Sequence, residues 1–138
     1  MSEYLLDTSI LIRYLRKAPG YRELFLDKSF GGEMYISAIT RLEVVRGMRE
    51  HERKDTFGLL DSLFTLPVDS AVSDLAGEQI LSWRSRGITL GIADSIIAAT
   101  AISQEVALIT TNARHFPMPE LTVWQADEAG QLKLWERE

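Results

Sequence analysis

Three acidic residues stand where packing alone does not call for them. Asp7 ends the apolar run Tyr4-Leu5-Leu6 and is followed by two hydroxyl residues, Thr8 and Ser9. Glu43 lies one turn into the helical pattern that follows Met34-Tyr35-Ile36, in Ser37-Ala38-Ile39-Thr40-Arg41-Leu42-Glu43. Asp94 interrupts Leu90-Gly91-Ile92-Ala93-Asp94-Ser95-Ile96-Ile97, part of the most apolar segment of the chain. A fourth polar cluster, Thr110-Thr111-Asn112-Ala113-Arg114-His115-Phe116, follows the apolar run from Val106. Asn112 could take a carbonyl or water-mediated place in a metal shell, and Thr8, Ser9 and Thr110 could orient waters.

Carboxylates gathered in a low-dielectric cleft repel, and an unpaired buried charge costs several kcal/mol. Cations among them remove that cost. Oxygen ligands, with no Cys and no usable His pair, select a hard ion, magnesium or its substitute manganese, over zinc. Such an ion binds phosphate oxygens and activates water, which makes a phosphodiester the natural substrate class. Each residue also has an ordinary structural reading. Asp7 and Asp94 could be helix N-caps, Glu43 could form a capping box with Thr40, and Asn112 could be a turn residue. One site explains the acids together, but at this level both readings stand open.

The elements that must position these residues alternate between strand and helix. Strands are expected at Tyr4–Asp7, Met34–Ile36, Val106–Thr110 and Leu121–Trp124, with at most a stub at Val68. Helices are expected from Ile10, over Tyr21–Phe30 with a stop at Gly31-Gly32, and over Ala38–Arg49, Asp55–Phe64, Ser70–Arg86 and Ile92–Ser103. A weak helix is expected over Asp127–Trp135. The strand runs are almost continuously apolar, as in a parallel sheet covered on both faces by helices. In such sheets ligands lie at the carboxyl ends of the strands, where Asp7 and Thr110–Asn112 fall.

Composition bounds what this arrangement can be. At 138 residues and 46% hydrophobic content the chain is the size of one domain, 1–138, with a proper core. No apolar run reaches membrane-spanning length and no basic leader precedes one, so no membrane segment or signal peptide is expected. The absence of cysteine excludes disulfides and thiolate zinc sites and fits a cytoplasmic location. The net charge of −5 argues against a general nucleic-acid coat but leaves room for a local basic rim. Arg13, Arg41, Arg46, Arg49, Arg84, Arg86 and Arg114 are the positive side chains that could form it. Arg41, Arg46 and Arg114 are the preferred candidates for RNA contact.

The four segments, taken in order and at their spacings, resemble the PIN domain, and more narrowly the toxins of VapBC-type toxin–antitoxin pairs. The resemblance spans nearly the whole chain. It implies a three-layer α/β/α fold with a five-stranded parallel sheet in the order 3-2-1-4-5. It also implies a magnesium-dependent endoribonuclease in which Asp7, Glu43 and Asp94 are catalytic and hold the metal. Asn112 occupies the place where the family often has a fourth acid, and a catalytic supporting role carries over to it. The implied partners are RNA, a cognate antitoxin and a second copy of the chain, in a heterotetramer or larger assembly with antitoxin. Asn112 also permits a non-catalytic RNA-binding or assembly module. An aspartyl-phosphate enzyme is disfavoured because no Lys lies in the strand-end segments.

Overall fold

Leu5 and Leu6 are both fully buried, because helices cover both faces of the strand that contains them. The computed structural model describes residues 3–26 and 33–137. Strand β1 (Tyr4–Leu6) lies between β2 (Met34–Ser37) and β4 (Ala107–Thr110), parallel to both. Strands β3 (Phe64–Leu66) and β5 (Val123–Ala126) extend the parallel sheet on either side. A sixth strand, β6 (Leu132–Leu134), runs antiparallel beside β5, so the order is β3-β2-β1-β4-β5-β6.

Two helical layers enclose this sheet. One contains α1 (Thr8–Leu15), α2 (Tyr21–Leu26), α3 (Ala38–Gly47) and α4 (Arg53–Asp61). The other contains α5 (Ser70–Arg84) and α6 (Ile92–Gln104). Side-chain alternation along the strands assigns the two cores. Leu6, Ile36 and Ile109 pack with Ile10, Leu11, Val44 and Leu60 on the first side. Leu5, Leu108 and Val123 pack with Ile97, Ala98 and Ala101 on the second. The apolar circumference of α6 follows from its position, since it packs on the sheet and on α5 at once.

The expected strand order is present, but the sheet has six strands rather than five. The helix expected over Asp127–Trp135 does not form. The Asp127 carboxylate instead accepts hydrogen bonds from the amides of Ala129 and Gln131, both at 2.9 Å, and closes a turn that leads into β6. Gly130 takes a left-handed conformation (φ +76) and the Asp127 amide donates to the Gln131 carbonyl at 3.0 Å, a pairing that belongs to a hairpin and not to a helix. At the other edge, α4 stops at Asp61 and the segment before Pro67 pairs with β2, so the strand is Phe64–Leu66 and not a stub at Val68. The fifth strand lies two residues later than expected. Positions 27–30 of the second expected helix, and its Gly31-Gly32 stop, fall outside the described residues.

The α1–α2 corner is tied to the β5–β6 turn. Tyr21 is fully buried and its hydroxyl donates to the Asp127 carbonyl at 2.7 Å. Gly20 (φ +84) and Gly130 (φ +76) pass so closely that a Cβ on Gly20 would lie 1.7 Å from the Ala129 carbonyl oxygen. Only glycine fits there. Among the described residues, no helix is long and apolar enough to cross a membrane.

Candidate active site

Parallel register brings the first acid to the fourth polar cluster. Leu6 lies opposite Ile109, and the Asp7 amide donates to the Ile109 carbonyl at 2.9 Å. The Asp7 side chain therefore meets the residue that follows Ile109. Thr110 Oγ1 donates to Asp7 Oδ2 at 2.7 Å, and Ser9 Oγ donates to the same oxygen at 2.8 Å. Both hydroxyl oxygens are themselves acceptors. The amides of Asn112 and Thr111 donate to Thr110 Oγ1 at 3.0 Å and Ser9 Oγ at 3.2 Å. With backbone donors on their oxygens, the two hydroxyls direct their own protons to Asp7. The carboxylate is buried and held through Oδ2, and among the described residues no hydrogen bond falls on Oδ1.

These contacts bear on the capping readings. Asp7 occupies the N-cap position of α1 but makes no side-chain cap hydrogen bond. The N-cap of α3 is Ser37, whose hydroxyl accepts from the Ile39 amide at 3.2 Å, so Thr40 and Glu43 form no capping box. Glu43 Oε1 instead accepts from Thr8 Oγ1 at 2.6 Å, and Thr8 Oγ1 lies 3.0 Å from Thr40 Oγ1. The N-cap of α6 is Gly91; Asp94 sits in the first turn, half-buried, with no hydrogen bond of its own among the described residues. Asp7 and Asp94 lie at helix starts and Glu43 in the second turn of α3, yet none of the three is engaged as a cap.

The electrostatics of the cluster show in Asp94. Burial, and after it the neighbouring Asp7, push its carboxyl above the ordinary aspartate value; His115 opposes this and Glu43 adds to it. His115 Nδ1 is 3.7 Å from Asp94 Oδ2. The acids therefore share one electrostatic environment. Among the described residues, however, no three His, Cys, Asp or Glu side chains converge tightly enough to cage an ion by themselves. The set is oxygen-rich, negatively charged, and keeps free oxygens on Asp7 and Asp94. That suits a hard cation that retains part of its water shell.

The candidate basic residues divide. Arg46 is exposed and lies 4.0 Å from Glu43 Oε2, at the rim of the acidic group. Arg114 is exposed beside Asp94. Arg41 is two positions from Glu43, about 200° around the helix, and points elsewhere. Its guanidinium donates to Asp61 Oδ1 at 2.9 Å, the Leu60 carbonyl at 3.2 Å and Thr65 Oγ1 at 3.3 Å. It clamps α3 to α4 and β3. Arg86 lies over the Trp83 ring at 4.5 Å, and Arg13 faces Tyr21 at 5.8 Å. The Asn112 amide group donates to Thr111 Oγ1 at 3.3 Å and does not cap the turn it begins.

Two supporting residues were not visible as site residues in the sequence. Gln125 on β5 accepts from the Ala113 amide at 2.8 Å and donates to the Thr111 carbonyl at 2.7 Å, which holds the Asn112 loop from both sides. Arg137 donates to the Phe116 and Leu121 carbonyls at 3.0 and 2.9 Å. Neither carries a motif. Only the placement of β5 and the segment after β6 against this loop reveals them.

The sequence profile of the PIN domain matches residues 4–119. Ribonuclease VapC10 of Mycobacterium tuberculosis is 34% identical over 116 residues, covering 84% of this chain and 87% of that protein. Ribonuclease VapC19 of the same organism is 33% identical over 119 residues, covering 85% and 95%. The fold is similar to that in a crystal structure of DNA-bound VapBC from Salmonella typhimurium. There the TM-score is 0.77 at 27% identity, covering 89% of this chain and 97% of that one.

Proposed function

The chain belongs to the PIN-domain family, and from that premise we propose that it is a divalent-metal-dependent endoribonuclease acting as the toxin of a toxin–antitoxin pair. The observation that carries this reading is the state of Asp94. It is a half-buried carboxylate without a hydrogen bond among the described residues, raised by burial and by Asp7. A first-turn acid can stabilise its helix through the dipole, but one that is half-buried beside a second carboxylate gains more from a cation. The relatives named as VapC ribonucleases, and the fold shared with a VapBC complex, support the same reading.

In this reading Asp7 and Asp94 bind the ion, magnesium or manganese, with Glu43 completing the shell and Asn112 supporting it. The bound ion supplies Lewis acidity toward a phosphate oxygen and lowers the pKa of a water molecule. The protein's own residues do the positioning. Thr110 and Ser9 hold Oδ2 of Asp7, which leaves Oδ1 facing the cluster. Thr8 holds one oxygen of Glu43 and leaves the other toward Arg46. Arg46, at the rim beside Glu43, takes an RNA phosphate, which positions the strand without reading its sequence. Hydrolysis adds the water oxygen to phosphorus as one bridging phosphorus–oxygen bond breaks, and the proton ends on the leaving oxygen.

The partners follow from the same premise. An antitoxin covers the acidic group and presents a cation to it. The toxin is a homodimer that assembles with antitoxin as a heterotetramer or larger. Leu81 and Ile92, both exposed on the α5–α6 layer, supply apolar surface for such contacts.

The test is cleavage of a labelled single-stranded RNA by purified protein in magnesium. Asp7→Asn and Asp94→Asn should each lower the rate by about 10³-fold or more, equivalent to roughly 4 kcal/mol of transition-state stabilisation. Equal cleavage by wild type and both variants, with contaminating nuclease excluded, would overturn the reading. RNA retention without cleavage by the wild type would instead favour the non-catalytic module that Asn112 permits.

A further inference from the structure

A cavity of 330 Å³ opens beside Asp94, between the loop that leaves α5 and the turn that follows β4. Its first wall is built by local chain chemistry. Gly87 (φ +80) donates its amide to the Arg84 carbonyl at 2.9 Å, and the Ile88 amide donates to the Trp83 carbonyl at 3.0 Å. Those paired bonds are a Schellman closure. It turns the chain so that Ile88 and Leu90 line the cavity and Leu90 anchors in the core. The second wall is Arg114, His115 and Pro117, on the segment fixed by Gln125 and Arg137. At the cavity floor Gly91 has no side chain to cover Asp94; a Cβ there would lie 3.5 Å from Asp94 Oδ2.

The lining has a definite chemical character. Ile88, Leu90 and Pro117 give flat apolar surface. Arg114 is exposed and, among the described residues, has no carboxylate within ion-pair distance and no hydrogen bond. Its planar guanidinium can stack on a base or donate to a base edge. The volume lies at the small end of ligand pockets, which run from about 300 to 1,000 Å³. Asp94 opposes the pull of Arg114 on an anion, and the apolar walls of Ile88, Leu90 and Pro117 favour a flat ring, so the ligand that fits is the base of a nucleotide.

We propose that this cavity is a subsite for one nucleobase of the RNA, adjacent to the phosphate that is cut, with Ile88 and Arg114 setting which base it accepts. The inference rests on the nuclease reading above and deepens it. The subsite couples sequence preference to the acid that binds the cation, because Asp94 borders both.

The test reads the pocket without catalysis. The chain has two histidines, and His51 lies in a separate turn at Glu50–Glu52, so His51→Gln assigns the His115 ring signals by NMR. The probes are AMP, CMP, GMP and UMP as 5′-monophosphates at millimolar concentration without divalent ions, with inorganic phosphate as control. One or two nucleotides should shift the His115 signals saturably, with about tenfold tighter binding than the weakest, and phosphate should not. Ile88→Trp, which fills the cavity from an exposed position, should weaken that binding about tenfold or more. Arg114→Ala should reduce the discrimination between bases, and both variants should redistribute cleavage sites in a randomised RNA pool.

Equal shifts from phosphate, no shift from any nucleotide, or wild-type selectivity in both variants would overturn the proposal. Arg114→Ala keeps it testable if Ile88→Trp fails to fold. Base-selective shifts in a protein that cleaves no RNA would sink the nuclease reading and leave the subsite. Cleavage abolished by Asp7→Asn, with His115 indifferent to every base, would do the reverse.

Discussion

The two ends of α1 are held in opposite ways. At its start, Asp7 is fixed through one oxygen by two hydroxyls, while Asp94 and Glu43 leave negative charge unneutralised around it. Beyond its last turn, backbone presses on backbone at Gly20 and Gly130, and the buried Tyr21 hydroxyl is satisfied by the Asp127 carbonyl. At the second corner the buried hydroxyl already has its partner and the backbones are in contact. The first is positioned just as firmly, but its charges are incomplete without a partner. The proposed site is the corner where steric order is high and electrostatic balance is withheld.

The largest effect that would test this contrast is at the closed corner. Gly20→Ala should destabilise the fold by about 3 kcal/mol or more, since both its φ and the Ala129 carbonyl exclude a Cβ. Urea unfolding measures it, and a loss under about 1 kcal/mol would mean that the corner is not tightly closed. Protein that remains folded should keep its affinity for manganese, because the site is at the other end of α1.

At the open corner, Thr110→Val should lower manganese affinity or RNA cleavage about 10- to 100-fold, through loss of a donor on Asp7 Oδ2. The residue is a positioning group, so Thr110→Ser should restore most of the loss. A titration of manganese by isothermal calorimetry separates affinity from turnover. Equal behaviour of the valine and serine variants would show that the hydroxyl does not position Asp7.

A smaller change is expected from Tyr21→Phe. It removes the donor to the Asp127 carbonyl and should cost about 1 kcal/mol of stability with cleavage unchanged. The smallest effect has the opposite sign. Because the Asp94 carboxyl is raised in the folded protein, the fold binds its proton more tightly than the unfolded chain does. Stability of the metal-free protein is therefore lost as pH rises from the ordinary aspartate range through the higher folded value. Asp94→Asn should stabilise that protein near neutral pH by up to about 0.5 kcal/mol, allowing for solvent screening. The gain should shrink on acidification and reverse when the ion is added. A melting series with and without manganese reads all three. Destabilisation by Asp94→Asn at neutral pH without metal would place Asp94 among the structural acids.

Legibility differed by the kind of interaction involved. The odd placement of Asp7 and Asp94 and the alternation of strands with helices were readable because both are local patterns. The strand order came from the family resemblance, since no local pattern says which strands are neighbours. Arg41 and Arg46 could not be told apart from composition. Their separation is angular, one facing α4 and the other Glu43, and it matters only once a neighbour occupies each side. The Asp127 segment had a helical reading that hairpin pairing with β5 overrode, through the left-handed Gly130 and the Asp127 amide donating to the Gln131 carbonyl. Gln125 and Arg137 carried no signal at all, since their partners are carbonyls and an amide contributed by a loop distant in sequence.

By itself the sequence determined the layered α/β architecture, the succession of elements and the acids at the chain's turning points. These follow from burial periodicity and from the energetic oddity of charge in apolar surroundings, both written in neighbouring residues. Tertiary structure alone decided whether those acids were caps or a cluster. The same carboxylate can accept an amide of its own helix or a hydroxyl from another strand, and only the parallel register of β1 with β4 put Thr110 where Asp7 could take the second.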